Sequence, residues 1–110
     1  MVPTDRDLVE RAAAGDRFAY DALVERHYVR VFGLLVARLG DRDAAEDLSQ
    51  EAFLRCWLHL ARLRDGARFA SWVSQVAINL AVSEQRGAAR RVRLASPEQP
   101  RKCGMAPIQP

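Results

Sequence analysis

Apolar residues recur along this chain at the spacing of amphipathic helices, and no segment alternates with the period of a strand. Polar and charged residues fill the positions between them, so each segment has one apolar face to bury. The pattern predicts an all-α fold, a compact bundle of about four helices. The predicted helices lie at 5–14, 16–39, 43–61 and from 69 to 86 or slightly beyond.

Residues typical of helix ends set the limits of the first two helices. Thr4 and Asp7 have the spacing of a capping box, and Gly15 marks the end of the first helix. Asp16 is the predicted N-cap of the second helix and Gly40 its predicted C-cap. The apolar positions of this helix are Phe18, Leu23, Val24, His27, Val31, Leu34 and Leu35.

The third helix separates into two faces when it is projected at about 100° per residue. Asp43, Asp47 and Glu51 follow one another at i, i+4 on the outer face, where like charges cost about 0.2–0.5 kcal/mol per pair. Leu54 and Leu58 lie among them, as in a protein-binding patch. A solvated face and a partner surface both fit this pattern. The predicted core side comprises Ala45, Leu48, Ser49, Ala52, Phe53, Cys56, Trp57 and Leu60.

The fourth helix has a polar side that suits a nucleic acid. Ser71, Gln75 and Asn79 follow one another by a turn, and arginines continue from Arg86. Arginines bind phosphates, while Ser, Gln and Asn can contact bases or sugars. Gly87 disfavours helix in the last turns. The predicted core side comprises Phe69, Val73, Val76, Ala77 and Leu80, with Trp72 at its edge.

Charge is divided along the 110 residues, a length typical of one domain. Residues 1–50 hold 7 Arg and 10 acids, a balance of −3, and residues 51–110 hold 10 basic and 4 acidic side chains, a balance of +6. Two different partners are therefore indicated. The basic stretch "RGAARRVR" is typical of a nucleic-acid patch, although a solvated helix end also fits. We expect a helical domain at 1–94 and a disordered, Pro-rich tail or linker remnant at 95–110.

Several classes of function are disfavoured by what the sequence contains. There is no membrane-length apolar run and no signal-peptide core, so we expect a cytoplasmic protein. Cys56 is expected in the core and Cys103 as an exposed thiol of the tail. His27 and His59 are expected at the edge of the core. These four residues lack metal-ligand spacing, and no phosphate loop or paired nucleophile and base occurs. We therefore predict no enzyme, no cofactor and no metal.

Three motifs carry a family resemblance. The segments "DRDLVERAAAGDRFAYDALVERHY", "DRDAAEDLSQEAFLRCW" and "RFASWVSQVAINLAVSEQRGAARR", in this order and spacing, resemble region 2 of a bacterial RNA polymerase sigma factor. The resemblance covers about residues 5–93 and is strongest to the extracytoplasmic-function (ECF) group of the sigma-70 family. The middle motif is specific to the family, and the Phe-x-x-Trp phrase followed by Asn-Leu-Ala and arginines supports it independently.

The resemblance implies one protein partner and one DNA partner. Family members dock an acidic helix on the clamp helices of core RNA polymerase, a basic coiled coil. The matching positions here are Asp43, Glu46, Asp47, Gln50, Glu51 and Leu54. Members also capture the non-template strand of the promoter minus-10 element, with a flipped base held in a loop that corresponds to 62–69. The DNA-binding candidates are Arg62, Arg64, Arg68, Ser71, Trp72, Gln75, Asn79, Arg86, Arg90 and Arg91. Asn79 is the firmest of them, whereas the core interpretation is favoured for Trp72, which lies at the apolar edge of the helix.

The sequence also departs from the family pattern. Family members usually continue into region 4, a helix-turn-helix that binds the minus-35 element, and the tail has no helical pattern for it. Ser83 and Gly87 stand where an acid and another arginine are expected. Two hypotheses follow: a factor that binds polymerase and melts the minus-10 element, or an interaction module that binds polymerase or an anti-sigma factor without promoter opening.

Overall fold

The computed structural model describes residues 2–95, and within them the fold is all-α with no strand, as predicted. Two short 3-10 turns, Leu60–Arg62 and Gly66–Arg68, connect the last two helices. Residues 96–110 of the predicted tail, including Cys103, lie outside the described residues. The helices are α1 (Asp5–Ala13), α2 (Arg17–Leu39), α3 (Arg42–Leu58) and α4 (Phe69–Ala95).

The predicted caps are confirmed at the ends of α1 and α2. The Asp7 amide donates to Thr4 Oγ1 and the Thr4 amide to Asp7 Oδ2, both at 3.1 Å, which completes a capping box. Asp16 Oδ1 accepts from the Ala19 amide at 3.2 Å. Gly40 ends α2 at φ 70°, in the left-handed region that glycine adopts without strain.

The core is aromatic at its centre. Phe69, the first residue of α4, is fully buried, and its ring meets that of Tyr20 edge to face at 6.0 Å. The Tyr20 hydroxyl donates to the Phe53 carbonyl oxygen at 2.5 Å, which ties α2 to α3. Cys56 is buried as predicted, and burial raises the pKa of its thiol to about 12. The core face predicted for α3 is thus the face that packs against the other helices.

Two apolar residues predicted within the pattern of α2 are not in the core. Phe18 is 84% exposed and Leu34 is 38% exposed. Each lies one residue, about 100° around the helix, from a fully packed position, Ala19 and Leu35. An apolar residue one step from the buried face still fits a helical period, so the period alone does not decide which of two neighbouring residues is buried.

The ends of α3 and α4 also differ from the prediction. α3 stops at Leu58 rather than near 61, because the chain tightens into the 3-10 turn that begins at Leu60. α4 continues through Gly87 to Ala95, so Ala95 is helical rather than part of a tail. Alanine and arginine surround Gly87, and their high helix propensity offsets the cost of one glycine. Among the described helices, none has the length and apolar character needed to cross a membrane.

Candidate protein and nucleic-acid interfaces

The outer side of α3 presents an acidic face to solvent. Asp41 caps the helix by accepting from the amides of Asp43 and Ala44, and this sets the rotation of the turns that follow. Most members of the face are exposed, including Glu46, while Glu51 is half-buried. The acidic face comprises Asp43, Glu46, Asp47, Gln50, Glu51 and Leu54.

Charge on the acidic face is only partly balanced within the helix. Arg55 Nε donates to Glu51 Oε2 at 2.8 Å, so Glu51 has an i, i+4 partner. Asp43 and Asp47 form no ion pair with any residue in the described range. Leu54 is 53% exposed and Leu58 66%, at the C-terminal end of the face. The surface therefore combines unpaired acids with exposed apolar side chains.

A groove of about 610 Å³ runs between α3 and α4, and we call it the α3–α4 groove. It brings together members of both predicted sets: Glu51 and Leu54 from the acidic face, and Arg62, Trp72 and Asn79 from the DNA-binding candidates. The sequence prediction missed part of its lining, although the one-turn spacing of Arg55 after Glu51 and of Ser83 after Asn79 could have indicated it. Leu58 of the predicted protein-binding patch also lines the groove, and the missed lining residues are Arg55, His59, Val76, Leu80 and Ser83.

The α3–α4 connection, residues 59–68, displays three arginines on its surface. Arg62, Arg64 and Arg68 are exposed. Asp65 Oδ1 accepts from the Ala67 amide at 3.0 Å and from Arg6 Nη2 at 3.1 Å. The backbone hydrogen bond from Ala67, followed by the Arg6 contact, lowers the pKa of the Asp65 carboxyl. The connection is thus an ordered, basic surface rather than an extended loop.

The polar side predicted for α4 is exposed along Ser71, Gln75 and Asn79. Gln75 Nε2 donates to Asn79 Oδ1 at 3.0 Å, which links the two amides one turn apart. Ser71 Oγ donates to the Arg68 carbonyl at 3.1 Å, so its hydroxyl supports the helix start. Trp72 is half-buried, with its ring edge to face with Phe69 at 6.1 Å, and it also lines the α3–α4 groove.

The remaining arginines of the DNA-binding set occupy the far turns of α4. Arg86, Arg90 and Arg91 are exposed. Arg91 Nη2 lies 3.9 Å from Glu84 Oε2, a weak pair of exposed side chains. Just before these turns, Gln85 Nε2 donates to the Arg38 carbonyl at 3.2 Å and ties α4 to the end of α2. The arginines therefore extend the polar side of α4 beyond this contact.

The two histidines lie in different surroundings. His27 Nε2 lies 2.8 Å from Asp5 Oδ2 at the edge of the core, as predicted. His59 is exposed, so its predicted place at the core edge is wrong; it caps the end of α3, where the chain turns outward. Between residues 2 and 95, no group of three or more His, Cys, Asp or Glu side chains is arranged to hold a metal ion.

The structure is thus a small helical bundle in which an acidic, leucine-bearing face lies beside an arginine-rich helix. The family is shown by sequence: residues 23–91 match the Sigma-70 region 2 family, and the chain belongs to it. The resemblance noted from the sequence motifs is thereby confirmed.

Similar proteins are named as RNA polymerase sigma factors, and some of them as ECF sigma factors. The chain is 38% identical over 77 residues to the RNA polymerase sigma-H factor of Pseudomonas aeruginosa, covering 70% of this chain and 40% of that protein. It is 36% identical over 78 residues to the ECF RNA polymerase sigma-E factor of Haemophilus influenzae, covering 71% and 41%. The ECF RNA polymerase sigma factor SigW of Bacillus subtilis is 27% identical over 78 residues, covering 71% and 42%. The chain thus spans about two fifths of these relatives' length, and no solved structure matches it significantly.

Proposed function

We propose that residues 1–94 form the region 2 domain of an ECF sigma factor, which binds core RNA polymerase and recognises and melts the promoter minus-10 element. Family membership supports the general role. The observation that carries the proposal is the α3–α4 groove, because it joins the end of the acidic face to Arg62, Trp72 and Asn79. A polymerase helix and a DNA strand could therefore bind on adjoining surfaces of one rigid bundle.

The acidic face is proposed to dock on the basic clamp helices of polymerase. Asp43 and Asp47 have no ionic partner in the described part of the chain, so basic side chains of the polymerase would relieve their mutual repulsion. Leu54 and Leu58 would supply apolar contact at the same edge. Electrostatic complementarity of this kind sets the register of docking and accelerates association.

The α3–α4 connection and α4 are proposed to capture single-stranded DNA without catalysis. Exposed arginines on both segments would neutralise backbone phosphates, and Asn79 would contact a base. Unstacking a base costs a few kcal/mol, which pocket contacts and phosphate neutralisation would recover. No nucleophile, cofactor or metal is required, so we propose a binding protein rather than an enzyme.

The test separates base contacts from phosphate contacts. Asn79→Ala should reduce discrimination among minus-10 sequences by about 1–3 kcal/mol and leave the salt dependence nearly unchanged. Arg90→Gln should weaken all sequences about equally and lower the salt slope by about 0.7 for a single strand. The measurement is binding of single-stranded minus-10 oligonucleotides across a salt series with core polymerase present. Arg30→Gln, the same change at an exposed residue of α2, is the matched control.

The second hypothesis, an interaction module without promoter opening, uses the same acidic face but needs no DNA contact. Ser83 in the groove and Gly87 in α4, where the family pattern has an acid and an arginine, favour it. If both Asn79→Ala and Arg90→Gln leave DNA binding unchanged in the polymerase complex, this hypothesis is the better account. An anti-sigma factor as the partner stays a prediction.

A further inference from the structure

α1 approaches the α3–α4 connection so closely that one residue of the connection has no room for a side chain. Gly66 is buried, and a Cβ placed on it would lie 3.0 Å from Arg6 Cα and 3.0 Å from Val9 Cβ. Its φ is not positive, so its backbone conformation is open to other residues. Glycine at this position therefore serves the close approach of two backbones.

The residue before Gly66 forms a second contact with α1. The Asp65 carboxylate accepts from Arg6 Nη2 at 3.1 Å while it also accepts from the Ala67 amide at 3.0 Å. The Asp65 carbonyl in turn accepts from the Arg68 amide at 2.9 Å. Two consecutive residues of the connection thus rest on one turn of α1, and the exposed Arg64 and Arg68 flank them.

α1 is itself held firmly at this turn. The Asp5 carboxylate contacts Arg26 Nη1 at 2.9 Å and His27 Nε2 at 2.8 Å, both on α2. These side chains are well shielded, with Asp5 18% exposed and His27 13% exposed. Leu8 and Val9 are buried on the same helix. The first turns of α1 thus contact both the connection and α2, so they join the connection to the bundle.

We propose that α1 positions the α3–α4 connection for DNA, and that Gly66 and Asp65 are its positioning residues. The inference rests on the proposed function, since it assigns the connection to strand capture. A connection fixed before binding loses less conformational freedom when it captures a base, which favours affinity and discrimination. Gly66 and Asp65 act through the arginines beside them and need not touch DNA.

Gly66→Ala tests the inference, because the added Cβ would lie 3.0 Å from Arg6 Cα and from Val9 Cβ, so that the connection or α1 must shift by a few tenths of an ångström. Gly33→Ala is the matched control, since a Cβ at Gly33 on α2 has nothing within 4 Å. The first probe is the oligonucleotide that the wild-type protein, in complex with core polymerase, selects from a randomised single-stranded pool. The other probes are copies of this oligonucleotide with an abasic site at one position each. The readout is the dissociation constant of each abasic copy divided by that of the intact oligonucleotide.

We expect Gly66→Ala to reduce this ratio by about tenfold, the value of one good base contact. Polymerase affinity should not change, because the acidic face proposed for docking lies on α3 and not on the connection. Gly33→Ala should preserve the ratio. A general loss of structure would lower polymerase binding as well, so it differs from lost positioning.

Arg6→Ala keeps the inference falsifiable if Gly66→Ala does not fold. It removes the contact with Asp65 without adding volume, and the pair is exposed, so folding should survive. We expect a loss of discrimination of about twofold to fivefold. Wild-type discrimination in the folded variants would overturn the positioning role alone. If the wild-type complex itself fails to discriminate, the proposed function fails and this inference falls with it.

Discussion

Reversing one charge on the acidic face should change stability and binding in opposite directions. Asp47 stands one turn after Asp43 and one turn before Glu51 on α3. Asp47→Lys turns two like-charged i, i+4 pairs into two opposite-charged pairs and leaves the Glu51–Arg55 pair in place. The site lies beyond the first turn of α3, so the helix dipole contributes little. The variant should therefore fold more stably than the wild type.

The size of the stability gain follows from the two pairs. Removing a repulsion of about 0.2–0.5 kcal/mol and adding an attraction of the same size, twice over, sums to about 0.8–2 kcal/mol. A gain of about 1 kcal/mol raises the melting temperature of a domain of this size by about 4–8 °C. Salt should reduce the gain, because the pairs are exposed. Thermal unfolding at low and high salt measures both effects.

Binding to the polymerase should weaken in the same variant. A lysine opposite the basic clamp helices replaces an attraction by a repulsion, which we place at about 2 kcal/mol or more, roughly a 30-fold higher Kd. Glu25→Lys makes the same change at an exposed residue of α2 and should leave polymerase binding unaltered. The assay is binding to the isolated clamp coiled coil at moderate salt. Unchanged affinity would refute the docking role of this face, and a lower melting temperature would refute the repulsion.

Two further predictions concern the core. Tyr20→Phe removes the hydrogen bond to the Phe53 carbonyl and should lower the free energy of unfolding by about 1 kcal/mol in urea titrations; no loss would show that the bond adds nothing. Burial raises the pKa of Cys56 from 9.0 to about 12 and raises the pKa of Tyr20 above 10.0. At a pH between the unfolded and folded pKa values, the folded state therefore keeps both protons while the unfolded state loses them. Their contribution to stability is present below pH 9 and is lost as pH rises above it. Urea titrations across this range should show the decline in the free energy of unfolding. The decline should be smaller in Cys56→Ala than in the wild type.

The two faces of α3 could be predicted because helical rotation alone decides them. Asp47 and Cys56 fall on opposite sides at any rotation of the helix, and the structure exposes one and buries the other. Phe18 shows the limit of the same reasoning. Its apolar side chain fits the period, but only the packing of neighbouring helices decides that Ala19, and not Phe18, faces the core.

Features that depend on distant parts of the chain were beyond the sequence pattern. Arg6 and Asp65 meet across a separation of 59 residues, and nothing local to either indicates the other. The α3–α4 groove likewise needs the packing of two helices before Glu51 and Asn79 line one surface. The family motifs pointed to both residues, but their proximity is a property of the folded bundle.

The exposed end of α4 has a consequence for how the protein responds to its ligands. Val92 is 67% exposed and Leu94 is 74% exposed, so the turns beyond Gln85 bury little apolar surface and depend on their own hydrogen bonds. Their opening is a local helix–coil equilibrium, separate from global unfolding. A variant with a stronger core would show the same amide hydrogen exchange in these turns as the wild type. A bound polyanion that neutralised Arg90 and Arg91 would slow exchange there first, which makes this helix end an internal reporter of occupancy.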